Sequence, residues 1–287
     1  MNANEISVII IFHGRHPHLR NVLKGLENGR ELPDEVILIE MDSEQLELPL
    51  YNLDINHILI TDFDPLRLPI AKTRNIGATL AKFETLAFLD VDCVPSYDYI
   101  ADLRIFDMAA NSINMARPMY LDRPIVDVET FEFVKHAMEH PNRPKYQGTK
   151  QAQDYGLFWS LCFFMPSQLF FELGGFDETF TGYGAEDTDL AFKCQSRHIP
   201  LYLTSHTVYH QQHAFMRPPL KSMESIVKNS NYFYSKWSIW PMANHLQKFN
   251  DLGFIKWTID DTQPIAIIKL PESSTYKNLM VNDEPFA

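Results

Sequence analysis

Cysteine and glycine are sparse in this chain, with three and 11 copies in 287 residues. Cys93, Cys162 and Cys194 form no CxxC spacing, so neither a disulfide framework nor a structural zinc site is expected. Positive charge is scarce as well: 25 Lys and Arg stand against 37 Asp and Glu, a net charge of -12. No basic run offsets that balance, which argues against a nucleic-acid partner. Any polyphosphate ligand then has to be met locally, by a bound cation or by backbone N–H groups. Long apolar runs are missing too. Ile6 to Phe12 falls well short of the roughly 20 residues of a membrane span, and it lacks a basic lead and a small-residue cleavage site. A cytoplasmic location is the expectation, with peripheral membrane contact left open.

What is present is an ordinary globular composition, 45% hydrophobic and 22% charged, in a length that suits one large α/β domain with an appendage. Ile6 to Phe12 reads as a buried strand, and Leu19, Val22, Leu23 and Leu26 follow at helical spacing. Val36 to Ile39, His57 to Ile60 and Leu86 to Leu89 read as further strands, and Ile70 to Lys82 as a helix behind Pro69. Tyr99, Leu103 and Phe106 recur at helical spacing. Residues 118–156, rich in proline and polar residues, read as a long excursion. Leu157 to Met165 is a strand candidate, Pro166 to Leu173 a short helix stopped by Gly174 and Gly175, and Glu186 to about Arg197 another helix. Pro200 to Leu203 and Thr207 to His210 read as two short strands. In the tail, Met223, Ile226 and Val227 mark one helix, Met242, Leu246 and Phe249 a second, and Ile265 to Leu270 a late strand. The tail aromatics Tyr232, Phe233, Tyr234, Trp237 and Trp240 are expected to pack rather than face a membrane or an acceptor.

Three constellations carry chemistry. A strand running into Asp90-Val-Asp92 places both carboxylates on one side, because side chains alternate with period two. They stand at the carboxyl end of a strand, where open α/β sheets bind ligands, and a divalent cation would relieve their repulsion. The plainer account is an acidic strand end facing solvent. Second, Gly182-Tyr-Gly-Ala-Glu-Asp-Thr-Asp189 joins a glycine-spaced loop to a helix start, where carboxylates are favoured by the dipole even without any function. Third, His210-Gln-Gln-His213 ends a strand pattern. One imidazole beside the aspartates would complete an oxygen and nitrogen donor set, with His210 the better candidate and His213 the reserve.

In that order the three elements resemble the family 2 type of GT-A nucleotide-sugar glycosyltransferases, and more narrowly chondroitin-polymerase modules and the β-1,4-galactosyltransferase group, over about residues 5–215. The resemblance implies an α/β, Rossmann-like, mixed and mostly parallel sheet with flanking helices. Residues 1–216 would form the GT-A domain, with a nucleotide-binding half 1–95 and an acceptor-binding half 96–216. Residues 217–287 are expected to form a small C-terminal helical and strand extension packed on that domain. It further implies a UDP-sugar donor, Mn2+ or Mg2+, and a carbohydrate or glycolipid acceptor. Asp92 and His210 would hold the metal, with Asp90 on the ribose or a metal-bound water. Glu186 would hold the acceptor sugar and Asp187 would take its proton in an inverting reaction.

The nucleotide side departs from the family pattern. Phe12, His13 and Arg15 stand where a Pro-Thr-Tyr-Asn-Arg type of loop is usual, and Glu40-Met-Asp-Ser43 replaces Asp-Asp-Gly-Ser. Glu40 can still accept from a base N–H. Arg74 and Asn75 match an Ala-Arg-Asn-x-Gly helix and are candidates for the diphosphate or for holding the strand ends. Tyr183 replaces the loop tryptophan of the galactosyltransferase group beside Gly184, which keeps an aromatic face for a sugar. A nucleotidyltransferase of related fold and a silent carbohydrate-binding protein are the rival readings. The first would want a basic glycine-rich loop that His13-Gly-Arg15 does not supply.

Overall fold

In a computed structural model, described over residues 4–107, 111–272, 275–276, 279–282 and 284–285, the first strand β1 (Ile6–Phe12) is buried along its whole length. That burial follows from its place in the middle of a sheet covered on both faces. Helix α1 (His16–Glu27) seats Leu19, Val22, Leu23 and Leu26 on one face of that sheet. β2 (Glu35–Met41) and β3 (Ile55–Ile60) add on in parallel, α2 (Ile70–Leu80) crosses the other face, and β4 (Thr85–Asp90) returns beside β1. This is the alternating β/α half that the sequence pattern predicts.

Beyond β4 the chain forms β5 (Cys93–Pro95), α3 (Tyr99–Ile105), β6 (Ile113–Leu121), α4 (Phe133–His136), β7 (Ala137–Glu139) and β8 (Lys150–Ala152). β9 (Cys162–Pro166), α5 (Ser167–Glu172), α6 (Glu186–Ser196) and β10 (Leu201–His210) complete the domain. The sheet runs β3-β2-β1-β4-β9-β6-β10-β5, with β7 on β6 and β8 on β10. It is parallel from β3 to β4 and between β6 and β10, while β9 and β5 run antiparallel to their neighbours. Ile9, Ile37, Ile39, Phe88 and Phe163 fill one side with Phe170 and Leu190, and Val8, Ile10, Leu38 and Leu89 fill the other with α1 and α3.

Four expectations change. The excursion is entered along a strand, since residues 118–121 belong to β6, and it contains β7 and β8; its polar residues are edge pairings rather than core. The apolar stretch from Leu157 begins as a turn of 3-10 helix over Tyr155–Leu157, and only Cys162–Pro166 pairs as strand, because that is the length β4 can reach. The two short strands before His210 are one, β10, whose register against β6 slips between Leu203 and Thr207. Ile265 to Leu270 is not a strand. Ile267 makes a lone bridge to Ile255 while Ile265 docks on a cluster with Trp240, Trp257, Phe249 and Ile226.

That cluster belongs to α7 (Met223–Trp237), α8 (Ala243–Asp251) and a ribbon of β11 (Phe215–Met216) with β12 (Met280–Val281). Among the tail aromatics, Phe233 is fully buried, Tyr234 stacks on Trp240 at 4.1 Å, and Trp237 packs on Phe192 of α6. No helix among the described residues is long and apolar enough to cross a membrane.

Candidate active site

The sheet converges on Asp92. β4 ends at Asp90, the chain turns, and β5 starts at Cys93 directly opposite His210 of β10. Gln211 N donates to the Asp92 carbonyl at 2.7 Å, which locks the end of β10 onto that turn. His210 Nε2 thereby comes within 3.6 Å of Asp92 Oδ1 and His213 Nε2 within 3.4 Å of Oδ2. One oxygen and two imidazole nitrogens lie within 4.8 Å of one another, a donor set that fits a first-row divalent cation. Arg15 reaches the same carboxylate from the start of α1. Burial opposes ionisation of Asp92, yet the His210 and His213 rings and the Arg15 guanidinium outweigh it and hold the carboxyl well below the usual carboxylate range. Both histidines therefore come together here. Asp90 does not join this donor group.

Asp90 is held instead by Arg74, a buried residue of α2. Its Nη2 donates to Asp90 Oδ1 at 3.0 Å and its Nη1 to Glu186 Oε1 at 3.1 Å, so one guanidinium ties the β4 tip to the first residue of α6. Burial pushes the Glu186 carboxyl up to about 7, with the charge of Asp187 adding to the rise and Arg74 opposing it. Glu186 Oε2 has no hydrogen-bond partner. Asp187 is half-buried and accepts from the Thr188 backbone N–H at 2.6 Å.

The glycine-spaced loop needs its glycines. Gly182 sits at φ 75°, where a Cβ would lie 2.6 Å from Ser225 Cβ, and Gly184 sits at φ 99° against Met242. Asn229 of α7 holds the loop from behind, its Nδ2 donating to the carbonyls of Thr181 (3.1 Å), Tyr183 (3.2 Å) and Gly184 (2.9 Å). Tyr183 is left half exposed. Asn229 belongs to no motif: it sits with Ser225 and Ser230 among the apolar residues of the buried face of α7, and only packing brings it to the loop.

The nucleotide-side residues divide. Phe12 is buried and its ring packs near His16 and His57. His13 is exposed, with Nδ1 2.5 Å from the Met41 carbonyl. Glu40 is wholly buried: it accepts from Leu46 N at 2.8 Å and faces His57 Nε2 at 2.9 Å. Asn75 braces the 175–178 turn, accepting from Phe176 N and donating to Phe176 O, both at 2.9 Å, so the structure shows it holding backbone.

The mixed, mostly parallel sheet with helices on both faces is that of the GT-A glycosyltransferase fold, as the solved structures it resembles show. A family model described as the N-terminal domain of galactosyltransferase matches residues 146–215, the span that contains the glycine loop, the α6 start, His210 and His213. The chain is 28% identical over 157 residues to validoxylamine A glucosyltransferase of Streptomyces hygroscopicus subsp. jinggangensis, covering 46% of this chain and 36% of that protein. It spans about a third of the length of the curated relatives it matches. Among solved structures it resembles GalNAc-T7 with UDP, GalNAc and Mn2+ (TM-score 0.58, 17% identity, 73% of this chain and 44% of that one). It also resembles S. aureus TarS 1-349 in complex with UDP (TM-score 0.53, 13% identity, 79% and 64%).

Proposed function

We propose that the chain is a metal-dependent glycosyltransferase that moves a sugar from a UDP-sugar to a hydroxyl of a glycan, polysaccharide or glycolipid, with inversion. The observation that carries this reading is the convergence of Asp92, His210 and His213 at the strand tips, two residues from Asp90, which Arg74 ties to Glu186 at the start of α6. Asp92, His210 and His213 would hold Mn2+ or Mg2+, which supplies positive charge to a departing diphosphate. Arg74 keeps the carboxylates of Asp90 and Glu186 in place, so the donor and acceptor halves are registered to each other. Asp187 accepts the proton of the acceptor hydroxyl as its oxygen bonds to the anomeric carbon and the bond from that carbon to the UDP oxygen breaks. Glu186 positions the acceptor ring. Tyr183 and the Gly182 to Gly184 loop cover the sugar and keep water from competing.

The reading is tested by calorimetry with UDP and Mn2+ on the parent and on Asp92→Asn. The parent is expected to bind UDP only with the cation, and the variant to lose that binding while unfolding at a similar temperature. Equal UDP affinity in both would remove the metal centre from the proposal. A thermal-shift panel of nucleotide sugars then identifies the donor.

A further inference from the structure

Arg143 lies in the connection after β7, on the same side of the sheet as α6. Its guanidinium sits over Trp159, 3.7 Å from the ring centre, its Nη1 donates to the Leu157 carbonyl, and its Nη2 lies 2.9 Å from Met115 Sδ. Its Nε is buried without a partner. Other partly buried arginines are neutralised: Arg74 by Asp90 and Glu186, Arg104 by Glu31 and Asp34, Arg117 by Glu139. No ion pair among the described residues includes Arg143. A guanidinium drawn out of water without an anion is costly, and burial accordingly lowers its proton affinity.

Arg143 lines one cavity with Arg117, His140 and Tyr146, in which Glu139 is the single carboxylate. Because Arg117 is paired with Glu139, Arg143 leaves the cavity one positive charge in surplus on a molecule of net charge -12. The cavity stands beside β6 and β10, across β4 and β9 from the β1 and β2 tips that carry Phe12, His13 and Glu40. A chain of rings links it to the candidate metal centre: His210 to Tyr120 at 4.8 Å, Tyr120 to His140 at 5.4 Å, His140 to Trp159 at 5.1 Å. The charge of Asp187 is felt at Arg143. The cavity thus belongs to the acceptor side, within electrostatic reach of the residue assigned as base.

We infer that the acceptor carries an oxyanion, a carboxylate or a phosphate, and that the planar Arg143 fork on Trp159 receives it. This rests on the glycosyltransferase reading and adds the substrate class. An acidic acceptor meets repulsion over most of this protein and attraction at this cavity, which orients it before any hydroxyl reaches Asp187.

The test titrates the protein saturated with Mn2+ and UDP with three probes: methyl β-D-glucoside, methyl β-D-glucuronide and methyl β-D-glucoside 6-phosphate. At least one anionic probe is expected to bind about tenfold or more tighter than the neutral one. The uronate alone responding identifies a carboxylate acceptor, and the phosphate alone a phosphorylated one. R143Q is expected to abolish the preference, and R143K, which keeps charge without the fork, to retain part of it. UDP binding in each variant reports whether it is folded; R143K carries the test if R143Q does not fold. Equal affinity for all three probes in the parent overturns the inference, as does an undiminished preference in variants that bind UDP. A parent that does not bind UDP with Mn2+ overturns the donor reading itself, which is a different result.

Discussion

Glu186 and Asp187 are neighbours in sequence with opposite surroundings, one buried against Arg74 and one half-buried at the helix rim. Asp187→Asn is expected to lower turnover by about a hundredfold or more while UDP affinity stays within about twofold, measured by UDP release and calorimetry. Glu186 titrates near 4.5 in the unfolded chain and near 7 when folded. Between those values the unfolded chain has released its proton and the folded one has not, so raising the pH across that window favours unfolding. The stability of the parent relative to Glu186→Gln is therefore expected to fall from pH 4.5 to 7, as read by urea unfolding at stepped pH. Identical pH profiles would mean that Glu186 binds its proton equally well in the folded and unfolded chain.

At the scale of elements, the glycine loop is held by a helix that lies far from it in sequence. Asn229 is buried and shares its two amide N–H groups among three loop carbonyls, and Ser225 Oγ accepts from Tyr183 N at 3.3 Å. Nearby, Lys236 and Trp237 of the same helix bind the buried Asp189 of α6, at 2.6 and 2.8 Å. Asn229→Ala is expected to lower stability by about 1 to 3 kcal/mol, the usual range for stranding buried polar groups. It should also raise the donor KM more than it lowers kcat, because a loosened loop still contains Tyr183 but spends less time closed. A thermal melt and a donor titration check the two parts separately. An unbroken apolar run made β1 readable from sequence alone and helical spacing made α1 so, while Pro69 marked the start of α2 and the glycine-spaced loop that of α6. β6 and the 118–156 pairings were not readable: β6 is an interior strand whose pattern is broken by Arg117 and Pro118, and β7 and β8 are only three residues each.

Over the whole molecule, a net charge of -12 repels a nucleotide diphosphate, so under the proposed function donor binding would depend on the cation more than on the surface. UDP with Mn2+ is expected to raise the unfolding temperature, by an amount corresponding to about 2.7 kcal/mol when UDP is a hundredfold above its Kd, and UDP with EDTA to leave it nearly unchanged. A full shift in EDTA would assign the diphosphate to protein groups such as Arg15 and Arg74 instead. The acid pair at the end of an apolar strand, the glycine-spaced helix start and the trailing histidines were legible from local order, because each is set by alternation or by helix-end chemistry within a few residues. Which of them meet was a matter of long-range pairing. Only the register of β10 against β5 and β6 decided that His213 joins His210 at Asp92 while Asp90 turns to Arg74, and only packing across the sheet left Arg143 buried without an acid. Those outcomes depend on contacts between segments scores of residues apart, whose approach no local pattern encodes.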